Sequence, residues 1–172
     1  MKKALLAGAF VLAAGAAHAG DWTGGYVGAG LGYGVVDVSN NVPGGEDYMF
    51  GLHGGYRYDF GDWVVGGELE YDWSDIDVAN NTVTLDNVSR LKLNLGYDFG
   101  PGMSYLIVGA AEAYTSGLGD DSGYLYGIGA AYQVTEQWIV SGEVLQHDFD
   151  DFNASGLDVE ATTVNFRASF RF

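Results

Sequence analysis

The residues of this chain with a vocabulary for nucleophilic chemistry are few. His53 and His147 are the histidines beyond the first twenty residues, and Ser141 is the strand serine nearest in sequence to His147. A serine nucleophile needs its base within hydrogen-bond reach. Six residues of extended chain separate Ser141 from His147 by ~20 Å, so these two cannot form that pair. Metal chemistry has equally thin support. The acidic runs "DD" at Asp120–Asp121 and "DFDD" at Asp148–Asp151 lack the D-x-[DN]-x-[DN]-G spacing of a calcium loop. The glycine-rich "GAGLGYG" from Gly28 puts Tyr33 where a dinucleotide fingerprint needs its third glycine, and no helical pattern follows. No catalytic residue, metal ligand or cofactor is expected. What remains is a set of charges of alternating parity: Arg57, Glu68, Glu70, Asp72, Arg90, Lys92, Glu112, Glu143, Arg167 and Arg171.

The elements that carry these charges read as strands. Apolar and polar residues alternate at period two through eight segments of about ten residues. In "WVVGGELEYDW", Trp63, Val65, Leu69, Tyr71 and Trp73 oppose Glu68, Glu70 and Asp72; in "RLKLNLGYDF", Leu91, Leu93, Leu95, Tyr97 and Phe99 oppose Arg90, Lys92 and Asn94. The terminal "FRASFRF" sets Phe166, Phe170 and Phe172 against Arg167 and Arg171. In the fifth segment, "SYLIVGAAEAY", both faces are apolar, and Glu112 alone is taken to mark the polar one. Three connections are tight: Gly61–Asp62, Gly100–Gly102 and Thr135–Gln137. Four are long and polar, at residues 37–47, 74–87, 115–123 and 148–160. An even number of antiparallel strands, with short turns at one end and long loops at the other, predicts an all-β, eight-stranded antiparallel up-and-down transmembrane β-barrel.

Charge placement separates this reading from a soluble sandwich. A Lys or Arg facing lipid at mid-bilayer costs ~2 to 4 kcal/mol, so a membrane barrel keeps its cations inside. The strands hold Arg57, Arg90, Lys92, Arg167 and Arg171 at lumen parity, and the loops hold thirteen carboxylates but no lysine or arginine. Counting positions from the short turns sets Glu143 opposite Arg167, Glu70 opposite Lys92, and Asp72 opposite Arg90. Trp22, Trp63, Trp73 and Trp138 stand at strand ends, as an aromatic girdle requires. Gly28, Gly30, Gly32, Gly55, Gly66, Gly127 and Gly129 read as lumen positions kept small so that charged side chains fit.

The first residues have a different composition. Lys2 and Lys3, an apolar run from Ala4 and the small-x-small Ala17-His18-Ala19 predict an export signal over residues 1–19, leaving a barrel domain over 20–172. Without those lysines, five basic residues face 23 acidic ones, a net charge of −18, which argues against nucleic acid as a partner. There is no cysteine and hence no disulfide framework.

Four stretches carry a resemblance: "WTGGYVGAGLGY" at Trp22–Tyr33, "GELEY" at Gly67–Tyr71, "SGEV" at Ser141–Val144, and the final "FRASFRF". Through these the chain resembles the small eight-stranded outer-membrane barrels of Gram-negative bacteria, of opacity and surface-antigen type. The resemblance implies that Phe166, Phe170 and Phe172 form the terminal signal read by the barrel-assembly machinery. It also implies a location in the cell outer membrane, with lipid and lipopolysaccharide as neighbours. The expected function is that of a non-enzymatic surface barrel in envelope integrity or adhesion, with an extracellular ligand at the four long loops. Weak divalent-cation bridging between loop acids and lipopolysaccharide phosphates is a further expectation. A narrow small-solute channel and a lipid-modifying enzyme are the alternatives.

Overall fold

The computed structural model describes residues 21–39, 44–78, 83–116, 119–149 and 159–172; the expected export signal lies outside them. The strands are β1 (Gly24–Val38), β2 (Gly45–Asp59), β3 (Trp63–Val78), β4 (Val83–Asp98), β5 (Gly102–Ser116), β6 (Gly119–Gln133), β7 (Trp138–Phe149) and β8 (Val159–Arg171). Each pairs antiparallel with its chain neighbour, and β8 closes on β1 to complete a barrel. The glycines at two short turns, Gly61 and Gly100, adopt φ of 105° and 92°, where a side chain would be strained.

Strand pairing fixes the tilt. The hydrogen-bonded row from Trp63 passes through Tyr97, Ser104, Ala130, Gly142, Phe166, Leu31 and Phe50 and returns to β3 at Trp73, ten residues higher. With eight strands ~4.8 Å apart and ~3.3 Å per residue, that stagger tilts the strands by about 40° and sets a backbone radius of about 8 Å. Side chains from opposite walls therefore meet on the axis.

The same stagger corrects two expectations. Direct partners are Glu68 with Lys92 and Glu70 with Arg90, while Arg167 faces Ser141 and Glu143 faces Asn165, so the expected pairs Glu143–Arg167, Glu70–Lys92 and Asp72–Arg90 do form, as diagonal ion pairs. Counting equal heights from the turns misses the two-residue offset that closure requires. The strands also run on into the four predicted loops. Asp77 pairs with Thr84 and Asp37 with Glu160, so the connections shrink to residues 39–44, 79–82, 117–118 and 150–158. Backbone pairing needs no apolar face, and the ladder continues through sequence too polar to show period two.

The outward faces are apolar. Leu31, Leu69, Leu93, Val108, Ile128 and Phe166 are all exposed. Small lumen positions make room for large ones: a side chain at Gly30 would meet Arg167, at Gly32 Asn165, at Gly66 Asn94, and at Gly129 Tyr105.

Candidate functional site

The alternation of β3 and β4 drives Glu68, Glu70, Asp72, Arg90 and Lys92 inward, where Glu143 and His147 from β7 and Arg167 from β8 meet them. Lys92 is fully buried. Its Nζ lies 2.6 Å from Glu68 Oε1, 2.5 Å from Glu70 Oε2 and 2.8 Å from Glu143 Oε2. Oxygens of these three glutamates lie within 4.8 Å of one another, so they converge as metal ligands would, and the ammonium takes the place a cation would need. Arg167 bonds Glu68 and Glu143 through its two terminal nitrogens. Arg90 donates to Glu70 at 3.0 Å, to Asp72, and from Nε to His147 Nε2 at 2.8 Å. Accepting there leaves His147 its proton on Nδ1, facing the Ala161 carbonyl at 3.3 Å. Tyr26 and Tyr105 donate to Glu68 and Glu143 at 2.8 and 2.9 Å.

Counted with Arg57, four cations balance the four carboxylates Glu68, Glu70, Asp72 and Glu143 among the described residues of the buried lumen. Pairing and hydrogen bonding make that burial tolerable; an unpaired charge there would cost several kcal/mol. Arg57 departs from the expected pairing. Its guanidinium stacks 4.4 Å from the Tyr26 ring and within 6 Å of Trp22 and Tyr105, and its Nε and Nη1 make no hydrogen bond.

Three other sequence expectations are corrected. Glu112 faces outward, because Met103, Tyr105, Ile107, Ala111 and Ala113 are the buried residues of β5. Either parity of that strand offers an apolar face, and the lumen beside it takes the apolar residues that sequence reading assigned to lipid. Arg171 sits at the short-turn rim, donating to the Asp21 carbonyl, away from the ionic cluster. Trp22 is no girdle residue. It is buried inside the short-turn mouth, with its indole N–H donating to Asp98 Oδ1 at 3.1 Å and to the Gly100 carbonyl at 3.2 Å. Beside it, the Thr23 amide and hydroxyl hold the Asp21 carboxyl below the usual carboxylate range. Trp63, Trp73 and Trp138 face outward, as do Phe166, Phe170 and Phe172.

A serine–histidine pair does exist, though not the one weighed from spacing. His53 Nε2 lies 2.8 Å from Ser169 Oγ, on strands separated by β1, where only the closed topology could bring them together. Both are buried, so a substrate has no approach to them. Ser141 and His147 are buried apart from that pair.

Apolar residues close the lumen at both ends. Val36, Met49 and Ile76 pack at the long-loop end, and Trp22, Val64 and Met103 belong to a second cluster reaching the short-turn end. Two cavities among the described residues are small: ≈ 30 Å³ beside Arg90, His147 and Thr163, and ≈ 10 Å³ beside Asn165, Arg167 and Asp72. The second is about the size of one water.

Comparison with known proteins agrees with this geometry. The 25 kDa outer-membrane immunogenic protein of Brucella abortus is 28% identical over 155 residues, covering 83% of this chain and 71% of that protein. The Brucella canis protein of the same name is 27% identical over the same shares. The fold is similar to that of Neisserial surface protein A, with a TM-score of 0.62 and 16% identity over 87% of this chain and 98% of that one. It is also similar to that of the attachment invasion locus protein Ail of Yersinia pestis, with a TM-score of 0.55 and 15% identity over 87% and 99%. Residues 4–172 match the outer membrane protein beta-barrel domain, and the chain belongs to that family, as a surface-exposed barrel of the bacterial outer membrane.

Proposed function

We propose that this protein is a non-enzymatic surface barrel: an inert, ion-paired cylinder that holds an acidic outer rim and four polar outer connections for envelope integrity or adhesion. The observation that carries this reading is the filled lumen. Every buried carboxylate of the mid-barrel bonds a cation, a tyrosine or both, and apolar residues stop both ends. Side chains so committed have little left for conduction or catalysis. The outer rim is the free surface, and it is acidic: Asp148, Glu160 and Asp37 are direct neighbours on three adjacent strands. Like charges placed opposite one another weaken a sheet, so these acids serve contact rather than stability. The Brucella relative is an immunogenic protein, and Ail, whose fold is similar, is an attachment protein; both agree with such a role. Barrel-assembly machinery recognition through Phe166, Phe170 and Phe172, and cation bridging from the outer acids to lipopolysaccharide phosphates, belong to the same proposal.

The test is a loop-trimmed barrel in which residues 40–43, 79–82 and 150–158 are replaced by minimal turns, expressed in a strain lacking the protein. Trimmed barrel that reaches the outer membrane but restores neither surface adherence nor detergent resistance supports the proposal. Full restoration by trimmed barrel, or reproducible conductance steps of the intact protein in planar bilayers, overturns it.

A further inference from the structure

One inward row of the ladder passes from β8 to β3 through Arg167, Gly30, Gly51 and Asp72, so two glycines stand side by side between a guanidinium and a carboxylate. Gly32, the next inward position of β1, pairs with Asn165. The larger side chains lean over this low floor: a Cβ at Gly30 would meet the Arg167 stem, one at Gly32 would meet Asn165 Oδ1, and one at Gly51 would meet Asp72 Oδ1. They do not fill it. The cavity of ≈ 10 Å³ lies among these residues, with Glu70 and His53 completing its wall.

Two donors on that wall have no protein partner. Arg167 directs its terminal nitrogens to Glu68 and Glu143, which leaves its buried Nε–H without an acceptor, and the buried Asn165 Nδ2 has none either. Acceptors stand on the same wall. Asp72 takes the Arg90 bond on Oδ2 and turns Oδ1 over Gly51, while Glu70 keeps further lone pairs beyond its bonds to Arg90 and Lys92. His53 is engaged at Nε2 by Ser169. A buried donor left unpaired is costly, and where no side chain reaches such a group an ordered water meets it.

We propose that this cavity is a binding site for one internal water molecule, which accepts from Arg167 Nε–H and Asn165 Nδ2–H, donates to the carboxylates of Asp72 and Glu70, and so joins β8 to β3 across the two glycines. The lining selects water over an ion. Two N–H donors, one of them on a guanidinium, disfavour a cation, and two carboxylates disfavour an anion. A cavity of this size admits one small molecule that both gives and accepts hydrogen bonds. Apolar residues close the lumen at both ends, so this water is held apart from bulk solvent. It completes the polar network without forming the continuous column that conduction needs, and the site is independent of what the outer rim contacts.

Solution NMR of the full barrel folded in detergent micelles, isotope-labelled at arginine Nε and asparagine Nδ2, tests this by reading the contacts of these N–H protons with the water resonance. Wild type shows rotating-frame cross-peaks at both Arg167 and Asn165, opposite in sign to the diagonal, as a held water gives; chemical exchange with bulk solvent gives the same sign as the diagonal. Asn165→Leu removes one donor, and the water contact at Arg167 Nε–H is lost. Thr163→Val and Ser169→Ala, which remove the neighbouring hydroxyls of β8, leave both contacts in place. Heat-modifiable migration checks folding of each variant, and the wild-type spectrum carries the test if Asn165→Leu does not fold. Absence of both contacts in wild type, cross-peaks of the exchange sign, contacts that vanish in Thr163→Val or Ser169→Ala, or a contact at Arg167 that survives Asn165→Leu overturns the proposal.

Discussion

The two halves of the lumen are built from different materials. On the side of β2, β3, β4 and β8 the inward positions at mid-barrel include His53, Arg57, Glu68, Glu70, Asp72, Arg90, Lys92 and Arg167; on the side of β5, β6 and β7 they include Tyr105, Ile107, Leu125, Ile139 and Leu145. Glu143 and His147 cross the divide by hydrogen bonds to Lys92 and Arg90, and Tyr105 lies 5.8 Å from the Arg57 guanidinium. A water-filled pore would be polar all round. An apolar half instead supplies a wall that excludes water from the ionic half, which strengthens each pair and raises the cost of leaving one broken. The barrel thus resembles a soluble protein core with one polar seam, enclosed in a sheet whose other face meets lipid.

Breaking the ionic half has the largest expected effect. Lys92→Met strands Glu68, Glu70 and Glu143 within reach of one another and destabilises the barrel by about 3–5 kcal/mol, read from urea unfolding in lipid vesicles; an unchanged midpoint would mean that water already screens them. Leu145→Ala attacks the apolar half. Leu145 is 0% exposed, so the loss is about 3 kcal/mol in the same assay, without new conductance. The wall responds by depth. Leu93→Arg, outward and near mid-bilayer, costs about 2–3 kcal/mol, whereas Glu112→Arg near the headgroups costs about 0–1 kcal/mol. Equal penalties at these two positions would contradict the assigned depths.

The same contrast explains what could be read from sequence. Where charge opposed grease, as in Glu68, Glu70 and Asp72 against Trp63, Leu69 and Tyr71, one strand sufficed to fix which face turns inward. In β5 both faces are apolar, and the single charge pointed the wrong way, because Glu112 lies at the band edge where an outward carboxylate costs little. Trp22 was misplaced for a related reason: an aromatic at a strand end satisfies either a girdle or a plug, and its choice depends on Asp98 and Gly100, more than seventy residues away. The His53–Ser169 contact and the two-residue offset of the ion pairs arise from closure of β8 on β1, which no local pattern encodes.

The chain has no cysteine, so the side of the sheet that each residue of β5 occupies can be read one thiol at a time. Ala111→Cys and Glu112→Cys, folded in vesicles and offered a charged, membrane-impermeant thiol reagent, should differ completely: Cys at 112 reacts from the outer side, and Cys at 111 stays silent from both. Rapid labelling at 111, or protection at 112 with reaction at 111, would place water in the lumen or reverse the strand and contradict the sealed ionic core.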